Sequence, residues 1–292
     1  MEHDRDGNLL KTQDNRKVHK KNFFLEMSKR LSKTGFATFS WDRRGFGKSQ
    51  GSPGDYFTEV RDARAALDAL CSQKSVVDGN RVAVFGQSAG VYVASLLAKE
   101  DIRPGAFILS GGLYSDYKDM MSFNYHRVRD YAKKSSENRK WVEKNDLWGL
   151  AVGINLDKML TAINNGEKEF MVQYNGHTWN VLLNQKVYSS EFAPKDQFRN
   201  ITSSVLIIHG EADLNVPVQD AREIEKELRA WGNNDVKLVT ISDADHSFQQ
   251  TAPDEDTRLR ERMSLESFKR PYKEEYFQSM IDFLKRRFAY ET

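Results

Sequence analysis

The chain has 292 residues, of which 39% are hydrophobic and 29% are charged, and its formal net charge is +2 at pH 7. This hydrophobic fraction is enough for a buried core, and the near balance of charges excludes the strongly basic surface of a nucleic-acid-binding protein. Cys71 is the single cysteine, which excludes a disulfide within the chain, and no apolar run reaches the ~20 residues that a membrane-spanning helix needs. Residues 1–21 lack the apolar core of a secretory signal, so we predict a cytoplasmic protein.

Short apolar runs and amphipathic segments alternate along most of the chain. Helical spacing of apolar residues begins at 22–33, and a run of aromatic and small residues at 36–41 predicts the first strand. The predicted elements that follow are a helix over 59–71, a strand over 81–86, a helix over 91–98, strands over 106–110 and 204–208, a helix over 218–231, a strand over 236–241 and a helix over 272–288. Each strand is a continuous apolar run, which is typical of a mainly parallel sheet covered by helices on both faces. The predicted fold class is therefore α/β.

The alternation stops between residues 113 and 200, where the sequence predicts mostly helical or irregular structure. We interpret this segment as a lid inserted into a core that consists of residues 1–112 and 201–292. Its aromatic side chains can line an apolar substrate pocket, although packing of the lid onto the core is the commoner role. These aromatic residues are Tyr114, Tyr117, Phe123, Tyr125, Trp141, Trp148, Tyr174 and Trp179. His126 and His177 belong to the same segment, and we expect them to face solvent or substrate.

A serine lies in the sharp bend between the strand at 81–86 and the helix that follows it. The pattern Gly-x-Ser-x-Gly is centred on Ser88, and we expect its two glycines, Gly86 and Gly90, to be needed because side chains would collide there. In this strand–turn–helix context the pattern predicts a nucleophilic serine. The backbone N–H of Ala89 would then donate to the oxyanion that forms during the reaction. The alternative is that Ser88 is a buried helix-capping serine.

An acid and a histidine follow two later strands. Asp213 lies beyond the strand at 204–208, and His246 lies beyond the strand at 236–241. In open α/β sheets, functional groups gather beyond the carboxyl ends of the strands. A serine hydroxyl needs a base to remove its proton, and an imidazole with a pKa of ~6.5 can accept and return that proton. We therefore predict Ser88 as nucleophile, His246 as general base and Asp213 as the group that orients the imidazole.

Each of these assignments has a structural alternative. His246 alone is compatible with a surface loop, and His209, a strand-terminal histidine before a glycine, is interpreted as structural. Asp213 competes with three neighbouring acids, Glu211, Asp243 and Asp245. No group of residues has the spacing of a metal site, and no glycine-rich loop carries the lysine of a nucleotide-binding loop, so no metal and no cofactor are expected.

Four motifs, taken in chain order, resemble the α/β-hydrolase superfamily. They are Asp42-Arg43-Arg44-Gly45-Phe46-Gly47-Lys48-Ser49, Gly86-Gln87-Ser88-Ala89-Gly90, His209-Gly210-Glu211-Ala212-Asp213 with Val216-Pro217, and Asp245-His246. Within that superfamily the chain is similar to the esterase and serine-aminopeptidase-like group, whose members carry an inserted lid. The resemblance covers nearly everything except the lid. It implies hydrolysis of an ester, thioester or amide by Ser88, Asp213 and His246.

The start of the chain departs from this family pattern. Family members begin with further strands, one of which ends in a His-Gly loop that supplies a second oxyanion donor. Here Asp4-Arg5-Asp6-Gly7-Asn8 is similar to the stretch that follows this loop. On this alignment the edge strands and one oxyanion donor are missing, which is expected to reduce turnover on the order of 100- to 1000-fold. We also expect an open sheet edge through which the protein forms a homo-oligomer.

The sequence thus predicts a serine hydrolase that cleaves a carboxylic ester, or a related acyl bond of a small molecule, through an acyl-enzyme on Ser88. A serine peptidase for small peptides is the second reading, since the lid would control which substrates enter. An N-terminally truncated, weakly active or non-catalytic binding protein is the third. Dehalogenase chemistry would need an aspartate in place of Ser88, and cysteine-dependent lactone hydrolysis would need a cysteine there.

Overall fold

The computed structural model describes residues 23–52, 54–100, 104–183 and 195–288. The stretch 4–8 and the side chain of Tyr117 lie outside this description. The strands, in chain order, are β1 (Ala83–Gln87), β2 (Ala106–Ser110), β3 (Glu169–Tyr174), β4 (His177–Leu182), β5 (Ser204–Gly210) and β6 (Val236–Ile241). The helices are α1 (23–32), α2 (Tyr56–Cys71), α3 (Gly90–Leu97), α4 (Tyr117–Lys133), α5 (Ser136–Asn145), α6 (Leu147–Asn164), α7 (Lys195–Phe198), α8 (Val218–Ala230), α9 (Glu255–Ser264) and α10 (Glu274–Phe288).

The main sheet contains four parallel strands in the order β1-β2-β5-β6. Every residue of β2 and β5 is buried, which explains why both sequences are continuous apolar runs. Their side chains alternate between two faces of the sheet. Phe107 and Ile207 pack toward α3 and α8, whereas Ile108 and Leu206 pack toward α1 and α10. The predicted mainly parallel sheet with helices on both faces is confirmed.

The strand predicted at residues 36–41 is wrong, because these residues belong to no sheet in the described part of the chain. Phe39 and Trp41 are 50% and 47% exposed there. Aromatic composition favours a strand only where a neighbouring strand can pair with its backbone. Among the described residues β1 pairs with β2 alone and is an edge strand. That a second copy of the chain pairs with this edge stays a prediction.

The segment between β2 and β5 contains helices α4, α5 and α6 and the antiparallel hairpin β3–β4. This hairpin was not among the predicted elements. Its two-residue turn is Asn175-Gly176, and both residues have a positive φ, at 47° and 78°. Asn-Gly is the preferred sequence of such a turn, so this dipeptide was the available signal. The hairpin packs on α6, since Val172 and Leu183 share a buried cluster with Leu156. The limits of the lid at 113 and 200 stay predictions.

Within the described ranges, no helix has both the length and the apolar content that crossing a bilayer requires. The same part of the chain contains no group of three or more histidine, cysteine or acidic side chains that could hold a metal ion. The predicted cytoplasmic location stays a prediction.

Candidate active site

Ser88 occupies the bend between β1 and α3 in a left-handed conformation, with φ at 54°. This backbone region is costly for a residue with a Cβ, so the surrounding structure must hold the bend in place. The Ser88 N–H donates to the carbonyl of Ser110, at the end of β2, over 2.8 Å. This hydrogen bond ties the bend to the neighbouring strand.

The two glycines of the motif differ in whether a side chain would fit at their positions. A Cβ at Gly86 would lie 2.5 Å from the carbonyl oxygen of Gly90, so Gly86 is needed for the chain to pass over itself. A Cβ at Gly90 would meet no neighbouring atom within 4 Å. The expectation that a side chain would collide is therefore confirmed for Gly86 and wrong for Gly90. The backbone of Gly90 occupies the space that a side chain at position 86 would need.

Ala89 lies at the start of α3, where it is the N-cap residue. The first N–H groups of a helix have no acceptor within the helix, and the helix dipole favours a negative charge near them. The Ala89 N–H belongs to this first turn and directly follows Ser88. Its role as an oxyanion donor stays a prediction.

Asp213 and His246 are hydrogen-bonded to each other across the ends of β5 and β6. The distance from His246 Nδ1 to Asp213 Oδ2 is 2.7 Å. The Asp213 side chain is fully buried, whereas that of His246 is 18% exposed. The other carboxylate oxygen, Oδ1, accepts from the backbone N–H groups of Asn215 at 2.6 Å and Val216 at 2.9 Å. The carboxylate is therefore held on both oxygens.

Burial by itself would raise the pKa of Asp213. The charge of His246 and hydrogen bonds from His209 and His246 outweigh burial and hold the pKa of Asp213 well below its usual range. Asp213 is consequently ionised at neutral pH and can only accept hydrogen bonds. His246 Nδ1 must therefore carry the proton of the shared hydrogen bond, and in the neutral ring Nε2 then has the free lone pair.

Gly111 connects this pair to the bend at Ser88. It directly follows Ser110, the residue that accepts from the Ser88 N–H, and a Cβ on Gly111 would lie 3.4 Å from both Cε1 and Nδ1 of His246. The imidazole ring thus packs against the backbone next to the bend. Among the described residues, no hydrogen bond joins Ser88 Oγ to His246. The three predicted residues lie at the same carboxyl edge of one sheet.

Two family models match the chain. The family described as "Serine aminopeptidase, S33" matches residues 17–159, and the one described as "Prolyl oligopeptidase family" matches residues 150–265. Solved structures with the same fold include an esterase of Pyrococcus furiosus and a monoacylglycerol lipase of Paleococcus ferrophilus. The chain belongs to the α/β-hydrolase superfamily.

The likeness to the solved members of the superfamily concerns the fold. The esterase is 18% identical at a TM-score of 0.52, over 91% of this chain and 74% of its own. The lipase is 15% identical at a TM-score of 0.52, over 90% of this chain and 88% of its own. A further structure, DcsB in complex with a substrate analogue, is 17% identical at a TM-score of 0.55, over 91% of this chain and 85% of its own. No curated protein matches the chain in sequence.

The acids that compete with Asp213 have other partners in this α/β-hydrolase. Glu211 accepts from the hydroxyls of Thr240 at 2.7 Å and Ser242 at 3.0 Å, and these hydrogen bonds lower its pKa. Asp243 is exposed. Asp245 Oδ1 accepts from the backbone N–H groups of residues 247 and 249, and burial raises the pKa of Asp245 to about 7. Of the four acids, Asp213 is the one hydrogen-bonded to His246.

His209, which the sequence pattern indicated as structural, lies beside Asp213. This ring is fully buried, and its Nε2 lies 3.0 Å from the carbonyl oxygen of Val216 and 3.3 Å from Asp213 Oδ2. Burial by itself would lower the pKa of His209, but the hydrogen bond and charge of Asp213 reverse the direction and raise it. The spacing of four residues between His209 and Asp213 was the available signal.

Arg262 was missed because the helix that carries it, α9, was not predicted. Its Nη1 lies within hydrogen-bond distance of Asn124 Oδ1 in α4 at 2.9 Å, and of Leu214 O at 2.6 Å and Asn215 Oδ1 at 3.1 Å. Burial lowers the pKa of Arg262. Arg262 therefore joins the loop that follows Asp213 to helix α4.

Most described aromatic side chains of the lid segment pack within the protein. Trp148 and Trp179 meet edge to face with ring centroids 5.6 Å apart, and His177 stacks on Trp179. The Tyr174 hydroxyl donates to Glu143 over 2.5 Å. These contacts favour the packing role over a pocket lining for the residues concerned.

Proposed function

We propose that this α/β-hydrolase is a serine hydrolase that cleaves a carboxylic ester, or a related acyl bond of a small molecule, through an acyl-enzyme on Ser88. The 2.7 Å hydrogen bond between His246 Nδ1 and Asp213 Oδ2 carries this proposal. It leaves His246 Nε2 as the proton acceptor, at the sheet edge where Ser88 sits in its left-handed bend.

In the first half of the reaction, Ser88 Oγ attacks the acyl carbon of the substrate and His246 Nε2 takes the hydroxyl proton. The former carbonyl oxygen becomes an oxyanion, to which the Ala89 N–H donates. When the tetrahedral intermediate collapses, the bond to the leaving group breaks. His246 gives its proton to that group, and the acyl group remains on Ser88.

In the second half, water attacks the acyl carbon and His246 takes a proton from the water. Collapse of the second intermediate breaks the bond to Ser88 Oγ, which regains a proton from His246, and the carboxylic acid leaves. Asp213 keeps the imidazole in the Nδ1–H tautomer and stabilises the imidazolium in both halves. The chain's own residues thus supply the nucleophile, the base, the orienting acid and one oxyanion donor.

The nucleophile is tested with a fluorophosphonate probe and peptide mapping by mass spectrometry. We expect the label on Ser88 and none on the Ser88→Ala variant. Ser242→Ala is the matched control, because this exposed serine lies near the same sheet edge and should leave labelling unchanged. A folded protein that stays unlabelled while a reference serine hydrolase reacts would contradict the proposal and would favour a non-catalytic binding protein.

A serine peptidase for small peptides is the second candidate. It is favoured by the two matching family models, both of which are described as peptidase families. Turnover of p-nitrophenyl esters of increasing acyl length is compared with turnover of aminoacyl p-nitroanilides. We expect ester cleavage to dominate, and anilide cleavage without ester cleavage would reverse the order of the two candidates.

A further inference from the structure

We propose that His209 is a positioning residue that donates a second imidazole N–H to Asp213 Oδ2 and thereby sets the proton affinity of His246. This inference rests on the proposed function of His246 as the general base. Two rings share one carboxylate oxygen: the distance to Oδ2 is 2.7 Å from His246 Nδ1 and 3.3 Å from His209 Nε2.

The surroundings of His209 determine which ring nitrogen carries the proton. Nε2 faces the carbonyl oxygen of Val216 at 3.0 Å and the ionised carboxylate of Asp213. Both groups can only accept a hydrogen bond, so Nε2 must be protonated. This holds for the neutral ring and for the charged ring alike. In either state the one N–H of Nε2 lies between the Val216 carbonyl oxygen, to which it donates, and Asp213 Oδ2, which can share it.

The other nitrogen of the same ring, Nδ1, makes an imidazole unfavourable at this buried position. His209 Nδ1 is buried and has no hydrogen-bond partner among the described residues. Burying an unpaired polar atom is unfavourable, and an apolar side chain of similar size would avoid it. The polar contacts that favour an imidazole here are therefore those of Nε2, with Val216 O and Asp213 Oδ2.

The donated hydrogen bond acts on His246 through the carboxylate. Asp213 Oδ1 is already occupied by the N–H groups of Asn215 and Val216, so Oδ2 is the oxygen that stabilises a charged His246. Donation by His209 spreads part of the negative charge of Oδ2 over a second hydrogen bond. A weaker negative charge stabilises the imidazolium less, so more of His246 is the free base at neutral pH.

Three other groups act on this pair and belong to separate elements. Asp245 directly precedes His246, Asp220 of α8 interacts electrostatically with His209, and Arg262 of α9 interacts electrostatically with Asp213. Substitution of His209 leaves all three in place. A difference between His209 variants and the wild type therefore reports the contribution of His209.

The test is a comparison of His209→Met, which removes the donor at similar size, with His209→Gln, whose side-chain amide can place an N–H near the position of Nε2. The pKa of His246 is measured by NMR titration of its ring in the absence of substrate. We expect His209→Met to raise it by about one unit and His209→Gln to leave it near the wild-type value. The acid limb of the kcat/KM profile should move with it.

Equal values of the His246 pKa in the wild type and in His209→Met would overturn the proposal. So would a shift in His209→Gln as large as in His209→Met, because a loss of packing alone would produce it. If His209→Met does not fold, nitrogen-15 ring spectra of the wild type decide, since an Nδ1–H tautomer with bare Nε2 contradicts the inference. These titrations need no turnover, so a protein without hydrolase activity would overturn the proposed function and leave the test of His209 intact.

Discussion

Asp213 accepts hydrogen bonds on both carboxylate oxygens, and a second imidazole nitrogen lies 3.3 Å from one of them. The backbone of Asn215 and Val216 holds one oxygen, and the rings of His209 and His246 share the other. A carboxylate that is buried and fully paired in this way cannot turn without losing several charge-assisted hydrogen bonds. The orientation of His246 is therefore set by a rigid partner.

Asp213→Asn tests this role on the proposed activity. The amide can present an N–H to His246 and so favours the wrong tautomer of the ring. We expect kcat for a p-nitrophenyl ester to fall by about 10⁴-fold while the fold is retained. Glu211→Gln is the matched control, because Glu211 lies two residues away and bonds to Thr240 and Ser242 instead. Equal activity of the two variants would show that Asp213 does not orient the base.

At the scale of elements, the ends of parallel strands place the three site residues near one another, and helices α4 and α9 hold the loop after Asp213. β1, β5 and β6 end near one edge of the sheet, which places Ser88, Asp213 and His246 there. Helix α9 adds Arg262, whose guanidinium bonds to α4 and to the loop after Asp213. Asn124 of α4 also donates to the Asn215 carbonyl, over 2.5 Å. Helix α4 and the loop after Asp213 are therefore joined by a polar cluster.

Arg262→Met should weaken this junction, because it leaves partly buried acceptors of α4 and of the loop after Asp213 without this donor. We expect the free energy of unfolding to fall by about 2 kcal/mol or more. We also expect kcat to decrease because the support of Asp213 is lost. Denaturant unfolding and ester turnover measure the two effects. Arg258→Met on the same helix serves as control, and an equal loss in both variants would contradict a special role of Arg262.

At the scale of the whole molecule, global unfolding exposes every buried ionisable group at once. Burial raises the pKa of Asp245 to about 7, above the ordinary value of 3.8 that it regains in the unfolded chain. Between these two pH values the folded protein retains a proton that the unfolded chain has released. The stability contributed by this group is therefore fully present below pH ~4 and is lost as the pH rises to about 7.

Asp245→Asn removes this loss, since an amide does not ionise and its oxygen can still accept from the N–H groups of residues 247 and 249. We expect the variant to gain stability over the wild type as the pH rises from 4 to 7, by about 3 kcal/mol at the upper end. Unfolding free energies at a series of pH values measure this. Asp243→Asn, which changes an exposed acid two residues away, is the matched control.

The sequence by itself determined those elements whose pattern depends on local residues. Apolar runs predicted all four strands of the main sheet. For β2 and β5 the reason is burial on both faces, whereas β1 and β6 lie at its edges and are only partly buried. The motif around Ser88 predicted the bend, since the chain can pass over itself only where Gly86 has no side chain. Chain order and strand ends predicted Asp213 and His246.

Tertiary structure alone decided the features that depend on partners distant in the chain. Residues 36–41 have the composition of a strand and no strand to pair with in the described part of the chain. The choice of Asp213 over Glu211, Asp243 and Asp245 follows from which loop acid reaches His246, and the second ring on the same oxygen follows from the burial of His209. Arg262 reaches this loop from a helix about 50 residues further along the chain. Composition and spacing describe single segments, whereas a hydrogen bond requires two groups whose distance only the folded chain sets.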